Sequence, residues 1–149
     1  MIIGEMGREK TRMPLFLIFF FDLSTISSLD EVLEKISGSH LKQLLTESKG
    51  RHEKLRDEIF DQFMRKNSEE KEPNPLAKSM SWLKTNMKIG MNDSDATVAD
   101  LITDGCDMGI KSLHKYLNQF KAADEDSKRF CHRLITIEEE LRHSLQPYL

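Results

Sequence analysis

Apolar residues return at helical spacing along most of this chain. Leu29, Val32, Leu33 and Ile36 recur at i, i+3, i+4 and i+7, one face of a helix. Ser27 or Ser28 is placed to cap it, Asp30 and Glu31 suit its first turn, and Ser37-Gly38-Ser39 ends it. A longer helix is predicted from about His40 to Lys66, with the stripe Leu41, Leu45, Ser48, His52, Leu55, Ile59 and Phe63. Asn67 to Pro75 is polar with two prolines and reads as a long loop. Leu76, Met80, Leu83 and Met87 form a further short stripe, which Gly90 to Ser94 breaks. With Ser94 or Asp95 as cap, a helix from about Ala96 to Phe120 turns Val98, Leu101, Ile102, Gly105, Gly109, Leu113, Tyr116 and Phe120 inward. After a turn over Ala122 to Asp126, a last helix carries Phe130, Leu134, Ile137, Leu141, Leu145 and Tyr148. No segment alternates with the period of two that a half-buried strand shows. The expected fold is all-α, a four-helix bundle of up-down type with a long polar loop near 67–75.

Composition narrows the function classes. A chain of 149 residues suits one domain with a real core. The formal charge of −3, with both signs mixed, supplies no basic face, so nucleic acid is not an expected partner. Cys106 and Cys131 have no C-x-x-C spacing, and a reducing cytoplasm is the expected location. Residues 1–26 differ from the rest. Basic Gly7 to Arg12 precedes the apolar run Leu15 to Phe21, the order of a signal peptide, but no small-residue cleavage site follows. The run is also shorter than the roughly 20 residues of a membrane span. It is expected to pack on the bundle or on a second copy; membrane contact through residues 15–21 is the weaker alternative. The first 26 residues are thus set apart from a single helical domain over 27–149, although the first helix can extend back through the run.

From Pro75 onward the chain resembles a family of small uncharacterised bacterial proteins, common in clostridia and related Firmicutes and belonging to the ferritin-like four-helix-bundle group. Pro75-Leu76-Ala77-Lys78, the spaced Met80 and Met87, the Ala99-x-x-Ile102-x-x-Gly105 run and Met108-Gly109 carry the resemblance. Residues from about Ser28 to Asp61 fit it more loosely. It implies a ferritin-like scaffold and no particular activity.

The ferritin-like scaffold raises a carboxylate-bridged di-iron centre, which needs inward Glu residues and Glu-x-x-His on two helices. One literal match exists, Glu140-Leu141-Arg142-His143. At about 100° per residue, however, His143 falls roughly opposite Leu141 and Glu140 about 100° away. Only Glu138 sits at the stripe's edge. If any metal binds, Glu138, Glu140 and His143 are its candidate ligands, with His52 opposite. His52 is the one polar residue at the centre of a stripe, one turn from Ser48. It reads as a ligand or base, or as a buried neutral histidine bonded to Ser48 or a backbone carbonyl, and no second titratable group is seen to converge on it. Gly105 and Gly109 stand one turn apart on an inner face. A helix-interior glycine costs roughly 1 kcal/mol against alanine, which close packing or ligand space would offset. The methionines read as adaptable core filler and the cysteines as small apolar residues without an activating base. The function expected is a non-catalytic bundle acting through protein contacts, as a homodimer and without a cofactor. The alternative is a metal-binding or metal-oxidising protein.

Overall fold

The computed structural model describes residues 15–66 and 94–149. They form four long helices: α1 (Leu15–Leu33), α2 (Ser39–Lys66), α3 (Asp95–Gln119) and α4 (Glu125–Leu145), followed by a 3₁₀ turn over Gln146–Tyr148. No strand occurs among the described residues. The stripe at Leu76 to Met87 and the loop at 67–75 lie outside them.

The apolar run belongs to the first helix. α1 crosses Ile26–Ser27 unbroken, so neither Ser27 nor Ser28 is its cap. Ser28 instead donates to the Ser24 carbonyl within the helix, 2.9 Å away. The buried residues Leu15, Ile18, Phe19, Asp22, Ile26, Leu29 and Val32 follow helical spacing through the whole element. The caps of α3 and α4 are side chains. Ser94 Oγ accepts from Thr97 N (3.2 Å) and Asp124 accepts from Ser127 N (2.7 Å), each filling a donor the first turn leaves open.

Ion pairs and contacts fix the helix directions. Lys49 pairs with Asp30 and Phe19 packs on Phe60, so α1 and α2 are antiparallel. Arg51 pairs with Glu140 and Arg133 with Glu58, so α2 and α4 are antiparallel. Arg142 pairs with Asp107, and Cys131 Sγ donates to the Leu113 carbonyl, so α3 and α4 are antiparallel. Neighbours therefore alternate in direction, while the chain order is up, down, down, up. The two ends that residues 67–93 join lie at opposite ends of the bundle.

The interior divides into two apolar cores. One gathers Leu15, Ile18, Leu23, Leu55, Ile59, Leu113, Phe130 and Leu134. The other gathers Leu29, Val32, Leu41, Leu45, Val98, Ile102, Leu141 and Leu145. Between them the bundle carries a polar layer.

Candidate functional site

That layer is Asp22 on α1, His52 on α2 and Glu138 on α4. Asp22 and His52 are fully buried and Glu138 is 3% exposed. His52 Nδ1 lies 2.6 Å from Asp22 Oδ1, and Nε2 lies 3.2 Å from Glu138 Oε1. The first contact is a hydrogen bond. The second is close but poorly aligned, so Nε2 and Glu138 Oε1 both keep unused hydrogen-bonding capacity. Ser48 Oγ, expected as the partner of His52, is buried without a partner.

His52 is therefore not a neutral histidine satisfied by Ser48 or a carbonyl. Burial, the largest influence, opposes its charge, but hydrogen bonding and attraction from Asp22 and Glu138 together outweigh it and raise its pKa from 6.5 to about 9. Burial likewise raises Asp22 above the ordinary carboxylate value, partly offset by His52. Both shifts favour the protonated state, as expected where two carboxylates flank one imidazole. One imidazole is thus shared between two buried carboxyl groups, one at each ring nitrogen. Arg56, one turn beyond His52, acts weakly on Asp22 and is itself engaged by Asp57.

Glu138 is also the cluster member that reaches a pocket. The α1–α3 seam holds a cavity of about 230 Å³, bordered by Phe21, Thr25 and Ser28 of α1, by Ile102, Gly105, Cys106 and Gly109 of α3, and by Glu138 and Leu141 of α4. Gly109 explains part of its shape. A Cβ there would come within 2.9 Å of the Phe21 ring tip and 3.7 Å of Glu138 Oε2. The offset expected for this glycine is thus close approach of an aromatic ring, and Gly105 beside it is half-exposed and borders the cavity. Cys106 faces Glu138 from α3; burial first, and Glu138 second, hold its proton far above the ordinary thiol range. Burial and the neighbouring carboxylate together keep the thiol protonated. Met108, expected as core filler, is exposed at the cavity's edge.

Of the four candidate ligands, two meet. His52 and Glu138 are in contact, whereas Glu140 is exposed and paired with Arg51, and His143 is exposed. The outward faces inferred for Glu140 and His143 are those found. Asp22 was missed, although it stands one heptad before Leu29 and one after Leu15, on their stripe. Its carboxylate and that of Glu138 approach opposite nitrogens of one ring, so the three side chains do not converge on a point where a metal could sit. Among the described residues no group of three or more His, Cys, Asp or Glu has metal-holding geometry. The described residues do not fit a di-iron centre. Nor is His52 placed for catalysis, being fully buried with a carboxylate at each nitrogen.

Comparisons with protein-family models, with curated proteins and with solved structures find no significant match. No described helix is long and apolar enough to cross a membrane.

Proposed function

We propose that this chain is a non-catalytic helical bundle that holds a small molecule in the α1–α3 pocket. The observation that carries the reading is the Glu138 carboxylate, buried and bordering an otherwise mostly apolar cavity. Binding pockets are apolar concavities with a few placed polar groups, and this one lies below the roughly 300–1,000 Å³ of drug-sized sites. Amide chemical shifts recorded against a library of small fragments test the reading. Binders should move Ile102, Gly105 and Gly109 together; a library that leaves all three unmoved removes it.

The scaffold we infer is ferritin-like. Its support is the pair of helical hairpins whose joined ends lie at opposite ends of the bundle, since ferritin-like bundles carry one long crossover. α2, with 28 residues, is about 42 Å long. Residues 67–93, at up to roughly 3.3 Å each, suffice to cover that distance. The free, buried cysteines support a cytoplasmic location.

A second reading, a homodimer, is favoured by exposed Phe16, Phe60 and Met64, because Phe16 and Phe60 join buried Phe19 and half-buried Phe20 in one aromatic group. Sedimentation should then show a dimer that Phe16→Ser/Phe60→Ser weakens; a monomeric wild type sinks it.

A further inference from the structure

We propose that the pocket takes a small organic ammonium ion, its apolar body against Phe21 and Leu141 and its charged head on Glu138. This rests on the pocket reading above and names the ligand class. Three observations converge on it.

The first is charge. Two buried carboxyl groups, Asp22 and Glu138, share the single imidazole of His52, which hydrogen-bonds Asp22 and makes only the longer, 3.2 Å contact with Glu138. Among the described residues no Lys, Arg or His borders the cavity to supply a counter-charge. Buried anions are stable when paired, and a cation brought by a ligand completes the set. An anionic ligand would meet a carboxylate and no base.

The second is donor and acceptor chemistry. Thr25 Oγ1 donates to the Phe21 carbonyl at 3.2 Å, and Ser28 Oγ to the Ser24 carbonyl at 2.9 Å. The Thr25 hydrogen is spent on that carbonyl, and its oxygen keeps lone pairs with which to accept. Glu138 is an acceptor as well. A carboxylate and a hydroxyl that both accept suit a ligand that brings N–H groups.

The third is the aromatic and apolar surround. Phe21 lies beside Gly109 with its ring tip close to that backbone, and the Glu138 carboxylate is near the same glycine. A ligand head at Glu138 therefore lies beside the tip of an aromatic ring. Leu29, Ile102 and Leu141 give the rest of the molecule a dry seat.

Calorimetric titration of the full chain at neutral pH with three probes of one shape tests this: 2-phenylethylammonium, 2-phenylethanol and phenylacetate. The ammonium should bind at least about tenfold more tightly than either other probe, the scale of one hydrogen bond to a charged group. It should also shift the Ile102, Gly105 and Gly109 amides. Glu138→Gln should abolish that preference. Equal binding of alcohol and ammonium at those amides overturns the ammonium class and leaves the pocket reading standing. Absence of pocket shifts with all three probes overturns both. A folded Glu138→Gln that keeps the full preference overturns the role of Glu138. Should that variant not fold, selectivity among the three probes on the wild-type chain decides alone.

Discussion

At the scale of single residues, the charge state of His52 controls the middle of the bundle. Groups from all four helices act on the layer: Asp22 from α1, Arg56 from α2, Cys106 from α3 and Glu138 from α4. The folded pKa of about 9 lies above the 6.5 of the free side chain. Its contribution to stability is thus fully present below about pH 6.5 and is lost as pH rises through about 9. The raised pKa of Asp22 acts with the same sign. Denaturation midpoints should fall between pH 6.5 and 9.5, and imidazole proton resonances should report a titration near 9. Asp22→Asn should bring that titration back toward 6.5. A titration already near 6.5 in the wild type removes the charged cluster.

At the scale of elements, the pocket follows from where the helices approach closely and where they do not. α1 meets α2 along its length, while its seam with α3 is left open around Gly105 and Gly109. Gly109→Ala restores roughly 1 kcal/mol of helix propensity but pushes on the Phe21 ring tip. The ring has cavity beside it and can yield. We expect stability to stay within about 1 kcal/mol of wild type by chemical denaturation, with pocket binding lost. A variant that keeps full binding separates Gly109 from the pocket's shape. The same elements show what was legible in the sequence. α2, α3 and α4 were readable because polar residues frame their stripes. Residues 15–21 have no polar face, so no contrast marks a periodicity there, and the pattern alone leaves the start of α1 open between Ser27 and the apolar run. Asp22 was hidden for the converse reason, a charged residue on a stripe where patterning expects an apolar one. His52 drew notice at its stripe's centre and Glu138 at an edge. Their meeting depends on helix order and direction, which periodicity does not encode.

At the scale of the molecule, two helical hairpins with short connections, α1–α2 and α3–α4, close on one another. Asp22 and His52 belong to the first hairpin, and Glu138 to the second. This division has a kinetic consequence. Connections as short as residues 34–38 and 120–124 lose little entropy on closing, whereas docking one hairpin on the other closes a much larger loop. The hairpins are expected to form early and the contact between Glu138 and His52 late. Glu138→Gln should then hasten unfolding and leave the refolding rate nearly unchanged, a φ-value near zero in stopped-flow measurements. A φ-value near one would place hairpin docking ahead of the transition state. With late docking, the pocket is the last part of the fold to assemble and the first to be lost. An occupant held there would act chiefly as a brake on unfolding, lengthening the lifetime of the native state.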